Sequence, residues 1–379
     1  MFKSKLPNLG TTIFTTMSAL AAEHGALNLS QGFPNFAANP ELLRLLGMYG
    51  ANGFNQYAPM IGVKELRDQL SLKTKKLYGA SYDSETEVTI TSGATEAIFA
   101  AIAATVSTRD EVIVFEPSYD SYLPAIELCG GVPVYITLYY PDFVIDWDLV
   151  KSKISDKTKL IILNTPHNPT GSVFSKNDLN KLAELIEDRD IYLIGDEVYE
   201  HIIFDGLIHH SLCTNSVLKE KSFICGSFGK TFHITGWKIG YCLAPKELSV
   251  EFRKIHQYLT FSTFTPAQYA LAKYLENEDN YLSIPAFYQR KRDVFLDSIA
   301  GSRFEFIPSQ GSFFQNVSYR NITDTNDTEY AIRLTKTVGV ASIPISVFYH
   351  QKLDQKVLRF CFAKDDQTLK KAGEILSSL

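Results

Sequence analysis

Five short runs of β-branched and aliphatic residues recur through the middle of this chain, each leading into a polar loop and then a longer helical stretch. They are EVTIT from Glu87, EVIVFEP from Glu111, LIILNTP from Leu160, IYLIGDE from Ile191 and SFICGS from Ser222. Near-continuous apolar runs mark strands buried on both faces, and their alternation with helices predicts an α/β domain around a parallel sheet. One helix is readable in detail. In SKNDLNKLAELIEDRD, Ser175 or Asn177 can cap, and Leu179, Leu182 and Ile186 share a face. The sheet domain is expected over residues 39–280.

From Pro285 the texture changes to a charged helix, FEFIPSQGSFFQNVSY, a helix near Thr328–Val338, VASIPISVF, KVLRFCFA and a last helix. This α+β mixture predicts a smaller domain made from both termini, residues 1–38 and 281–379. A chain of 379 residues exceeds what one core usually supports, so two domains are expected.

Net charge is −5 and basic residues form no run, which argues against a nucleic-acid backbone as partner. The five cysteines are scattered without a C-x-x-C pair, so neither a disulfide framework nor a zinc site is expected, and no other metal. His209 and His210 read as surface histidines of a polar loop. The amino terminus shows no signal-peptide core, and the most apolar helix, Ala97–Val106, is too short to span a bilayer. A cytoplasmic protein without a membrane partner is expected.

Ligands of open parallel sheets collect at the carboxyl ends of the strands, where helix amino termini and backbone N–H groups converge. The notable polar residues of this chain follow its strands. TSGATEAI offers the N–H groups of Ala94 and Thr95 to a phosphate, or is a capping turn in which Ser92 or Thr95 caps a helix. EPSYDSY puts Tyr119 on the same rim. NTPHNPTG presents Asn168 in a turn stiffened by two prolines. Asp196 ends an apolar strand, where a carboxylate requires either a cation or donor, or satisfaction by backbone N–H groups. Tyr199 follows three residues on.

SFGKTFHITGWKIGY then places Lys230 on this rim, and Lys238 eight residues later, with no acid in the stretch to pair with either. Pyridoxal 5′-phosphate needs such a set: a lysine for the Schiff base, an acid at the pyridine nitrogen, a donor at the ring oxygen, an aromatic over the ring and a phosphate cradle.

Ten blocks, in order, carry a family resemblance: LSQGFPNF, NQYAPMIGVKELR, TSGATEA, EPSYDSY, NTPHNPTG, GDEVYEHI, SFGKTFHITGWKIGY, HQYLTFSTFTPAQ, VASIPISVFY and LRFCFAKDD. The sequence resembles the class I aminotransferases of fold type I, in the branch of kynurenine and glutamine transaminases and bacterial methionine aminotransferases. The resemblance implies a mostly parallel seven-stranded sheet flanked by helices, with a smaller α+β domain. It implies that Lys230 bonds the cofactor and later moves a proton between the substrate α-carbon and the cofactor. Asp196 is then the partner of the pyridine nitrogen, Asn168 and Tyr199 bond the ring oxygen, and Tyr119 stacks on the ring. Ala94 and Thr95 amides, Ser227 and Lys238 hold the phosphate, and Tyr57 reaches the phosphate of a neighbouring subunit, which implies a homodimer with shared sites.

The resemblance also implies that substrate binding falls to Arg359, whose guanidinium can grip an α-carboxylate with two parallel bonds, and to Gly32, whose backbone lies against that carboxylate, beside Tyr119 and Asn168; by themselves Arg359 and Gly32 read as a structural ion pair and a turn glycine. Phe14, Phe33, Tyr57, Tyr119, Phe261 and Phe348 fall in the blocks near the pocket, and no second arginine stands at an obvious position. An apolar or aromatic donor is therefore expected, and the resemblance of NQYAPMIGV and HQYLTFS to the methionine aminotransferases implies methionine first, with a 2-oxo acid acceptor and ping-pong kinetics. The alternative on the same residues is a lyase that splits the C–S bond of cysteine conjugates.

Overall fold

The computed structural model describes residues 3–7 and 9–379. After a two-residue strand β1 (Leu27–Asn28), the central part of the chain gives β2 (Val88–Thr91), β3 (Glu111–Glu116), β4 (Val132–Thr137), β5 (Thr158–Asn164), β6 (Tyr192–Asp196), β7 (Ser222–Ser227) and β8 (Gly240–Leu243). These seven form one sheet in the order β2-β8-β7-β6-β5-β3-β4. Pairings from β7 through to β4 are parallel, whereas β8 runs antiparallel to both of its neighbours, β2 and β7.

Strand alternation sorts the sheet into two cores. Val112, Val114, Leu160, Ile162 and Ile194 face helix Gly93–Thr105, and this core runs on into the smaller lobe through Val317, Phe360 and Leu369. Ile113, Phe115, Ile161, Leu163 and Leu193 face the other way, onto helices Lys176–Ile186 and Thr265–Leu275. Helix Lys176–Ile186 begins as its sequence predicts. Ser175 and Asp178 form a reciprocal capping box, and Leu179, Leu182 and Ile186 are buried.

The smaller lobe holds β9 (Phe314–Ser318), β10 (Val340–Ala341), β11 (Ile343–Pro344) and β12 (Val357–Cys361). β11, β12 and β9 form an antiparallel sheet, and β1 pairs in parallel with β10, which ties the amino-terminal segment to the carboxy-terminal part. Helices Ile284–Ile299 and Asp366–Ser377 cross at Gly373, where a Cβ would fall 1.9 Å from Ser298 Oγ. Among the described residues no helix is long and apolar enough to cross a membrane.

Candidate active site

At the carboxyl ends of β3, β5, β6 and β7 the strand-end loops close on a cavity of about 190 Å³. Ala94, Thr95, Tyr119, Asn168, Asp196, Tyr199, Ser227, Lys230 and Lys238 all line it. Larger grooves, such as the one between Trp147 and Arg189, are shallow and open to solvent.

Asp196 closes β6 at 4% exposure. Its Oδ2 accepts a 2.5 Å hydrogen bond from the Tyr122 hydroxyl, while Oδ1 is buried without a partner. Burial pushes the carboxyl up to about 6, opposed by the Tyr122 hydroxyl, the Val198 N–H and the Lys230 ammonium. Lys230 sits on the single turn Phe228–Thr231 that follows β7. Its Nζ donates to the Gly32 carbonyl at 3.4 Å and lies over the rings of Phe313 and Tyr199 at 5.4 and 5.8 Å. Burial brings the ammonium down to about 8, with Lys238 and Arg359 adding to the fall.

Asn164, the last residue of β5, joins the two sides of the site. Its Nδ2 donates to the Asp196 carbonyl and its Oδ1 accepts from the Asn168 N–H, both at 2.7 Å. Asn168 Oδ1 in turn accepts from Arg359 Nη1 at 2.8 Å, and Nη2 donates to the Ser30 carbonyl at 3.2 Å. Arg359 is 1% exposed, its Nε has no partner, and among the described residues it forms no salt bridge. A buried cation without an anion is costly, and burial holds this guanidinium down at about 10. Phe314 stacks against it at 3.9 Å, with Phe348 and Phe14 at 5.1 and 5.3 Å. Gly32 lies beside them, where a Cβ would stand 2.8 Å from Phe314 Cζ.

Helix Gly93–Thr105 points its amino terminus at the cavity, and no side chain caps it. The capping turn weighed from the sequence is thus replaced by an open end, whose orphan N–H groups and partial positive charge suit an anion. Gly93 adopts φ +75° beside Lys238. A Cβ on Gly240, the first residue of β8, would fall 2.7 Å from the Ala94 nitrogen, so only glycine lets this strand pass so close. An unpartnered acid oxygen, a lysine free of ion pairs among the described residues and an uncapped helix end fit the ring nitrogen, aldehyde and phosphate of pyridoxal 5′-phosphate.

Tyr57 stands apart from the cavity, 84% exposed and edge-on to Phe261 at 5.5 Å. Phe33 is half exposed under Lys364. Sequence reasoning passed over Tyr122 and Asn164, although both lie in the quoted motifs; Asn164, a polar residue closing an apolar strand, carries the same signal that marked Asp196. His209 corrects an expectation. It is buried rather than superficial, with Nε2 on Glu197 Oε2 at 2.9 Å, because Glu197 leaves the sheet on the face opposite Asp196 and needs a partner there.

Comparison with known proteins gives a consistent pattern. The chain matches the family described as aminotransferase class I and II over residues 25–376. It is 49% identical to the methionine aminotransferase of Escherichia coli strain K12, across 100% of this chain and 98% of that protein. It is 36% identical to a kynurenine–oxoglutarate transaminase of Dictyostelium discoideum, across 98% of this chain and 95% of that one. Among solved structures, Escherichia coli YbdL, reported with a methionine aminotransferase function, superposes with a TM-score of 0.98 at 48% identity over 100% of both chains. N-succinyldiaminopimelate aminotransferase from Mycobacterium tuberculosis gives 0.95 at 36% identity, again over 100% of both.

Proposed function

This chain belongs to the class I and II aminotransferases, and from that premise we propose that it transfers the amino group of methionine, and of other apolar or aromatic amino acids, to a 2-oxo acid, with pyridoxal 5′-phosphate held in the cavity. The observation that carries the reading is the convergence, in one cavity, of the Lys230 amine, the unpartnered Oδ1 of Asp196 and the uncapped end of helix Gly93–Thr105.

Pyridoxal 5′-phosphate, when bound, supplies an aldehyde that exchanges amines and a ring that draws electrons from the amino-bearing carbon. Asp196 Oδ1 would accept a hydrogen bond from the ring nitrogen and keep a proton there. Asn168 and Tyr199 would bond the ring oxygen, and Tyr119 would cover a ring face. The amides of Ala94 and Thr95, with Ser227 and Lys238, would hold the phosphate. Lys230 Nζ, brought down to about 8, carries a useful fraction of free amine near neutrality and moves the proton at the substrate α-carbon. Arg359, which has Asp120 nearby but no carboxylate in salt-bridge contact among the described residues, would receive the α-carboxylate. Its ties to Asn168 and Ser30 fix the fork in advance.

Methionine suits the aromatic surround of Arg359, because a thioether packs well against ring edges. Other arginines are committed elsewhere: Arg67 to Glu85, Arg253 to backbone around Val88, Arg292 to Asp205. No arginine lines the cavity itself to receive a distal carboxylate. The methionine aminotransferase of Escherichia coli, at 49% identity, supports the same donor. Tyr57 and Phe261 meet edge-on at the surface, and a second copy of the chain docked there would bring Tyr57 to its neighbour's phosphate. Steady-state assays across amino donors test the reading. Methionine and phenylalanine should exceed aspartate in kcat/KM by about 100-fold, since a buried unpaired carboxylate is strongly penalised; a preference for aspartate would overturn it.

A further inference from the structure

Glu96 and His256 play no part in the chemistry above, yet they join two of its parts. Glu96, in the first turn of helix Gly93–Thr105, folds back so that Oε2 accepts from the Ser92 N–H at 2.8 Å. Its Oε1 faces His256 Nδ1 at 2.8 Å, and His256 Nε2 faces the Met60 carbonyl at 2.9 Å. His256 ends helix Lys246–Leu259 and is wholly buried, with Glu96 nearly so. Both ring nitrogens therefore look at acceptors. Nε2–H donates to the carbonyl, so another proton must lie between Nδ1 and Oε1, and the contact is charge-assisted.

Met60 lies three residues beyond Tyr57 in a loop pinned at its other points by Thr265, which bonds Gln56 and Ala58, and by Gln268, which bonds the Val63 N–H. His256 supplies the middle anchor. The Ser92 N–H bond, at the opposite end of the same relay, orients the residue that enters Gly93 and the open amides after it. A carboxylate one turn from a phosphate would also repel it, and the shared proton offsets that charge.

We propose that Glu96 and His256 form a clamp that fixes the phosphate cradle and the Tyr57 loop relative to each other, as positioning residues for the cofactor's phosphate. The proposal rests on the reading that helix Gly93–Thr105 receives that phosphate. Glu96→Gln can keep every bond of the relay with a neutral imidazole, accepting from Ser92 and donating to Nδ1, whereas Glu96→Ala and His256→Leu break it.

The test strips the cofactor from purified enzyme and titrates the apoprotein, followed by absorbance, with pyridoxal 5′-phosphate and separately with pyridoxal, which lacks the phosphate. Glu96→Ala and His256→Leu should each weaken binding of the phosphorylated form by about tenfold, as expected for one lost charge-assisted bond. Binding of pyridoxal should change by less than about twofold, a split that general destabilisation does not produce. Glu96→Gln should bind like the wild type; should Glu96→Ala not fold, His256→Leu carries the comparison. Equal losses for both ligands, or no loss, would overturn the clamp while leaving the proposed function standing. A wild-type apoprotein that binds neither ligand would overturn that function and the clamp with it.

Discussion

Asp196 has two carboxylate oxygens, and the fold treats them differently: one is fixed by Tyr122 and the other faces the cavity without a partner. Burial raises this acid, and the Tyr122 hydroxyl opposes the rise. Removing the hydroxyl in Tyr122→Phe therefore moves the carboxyl further up and depletes its charged form below neutrality. The acid limb of the kcat–pH profile should shift to higher pH, with kcat at pH ~6 falling about tenfold, the size of one lost hydrogen bond to a charged group. An unmoved limb contradicts the assignment. Lys230 works in the opposite sense, because burial favours its neutral form. Capture of pyridoxal 5′-phosphate by the apoprotein should accelerate as pH rises, with a midpoint at about 8, and level off above it. A stopped-flow midpoint near that of an ordinary lysine would count against a buried amine. Arg359→Lys keeps the charge and loses the fork, so kcat/KM should fall about 100-fold. The sequence could bring Lys230, Asp196 and Asn168 to one rim because each ends an apolar run or stands in the polar loop that follows one, and all three line the cavity. Tyr122 was not legible there, since its bond to Asp196 spans two separate strand-end loops and leaves no local pattern.

The proposed phosphate cradle rests on two elements at once, the open end of helix Gly93–Thr105 and the start of β8 that passes against it. Gly240→Ala forces them apart and should weaken cofactor affinity by about tenfold or more, at about 1–3 kcal/mol in stability. Ser175→Ala, in a capping box remote from the cavity, should cost about 1 kcal/mol by chemical denaturation and leave kcat unchanged. The sequence left the cap open between Ser175 and Asn177, and the structure chooses Ser175, because Asp178 at the third helical position reaches back to close the box. β4 and β8 were not read as strands. β4 is an edge strand with Val132 half exposed and Pro133 inside it, and β8 is only four residues long behind the lysine-bearing stretch. The antiparallel course of β8 had no sequence signal either, since alternating strands and helices predict parallel pairing.

In the molecule as a whole, one of the two cores passes without a break from the sheet into the smaller lobe, and Arg359 on β12 meets Asn168 of the larger one across the site. The proposed carboxylate grip and the proposed cofactor site thus come from different parts of the chain, joined by that contact. The exposed patch around Tyr57 predicts that sedimentation will give twice the mass of the chain, and that Tyr57→Ala will loosen the cofactor without altering the cavity of its own subunit; a monomer that retains full cofactor affinity contradicts this. The most direct test of the central claim is the visible absorption spectrum of the purified enzyme on sequential addition of methionine and then a 2-oxo acid. The account predicts a cofactor band that methionine removes and the 2-oxo acid restores, and loss of the whole cycle in Lys230→Ala. A protein that takes up no pyridoxal 5′-phosphate, or one in which Lys230→Ala cycles like the wild type, contradicts it.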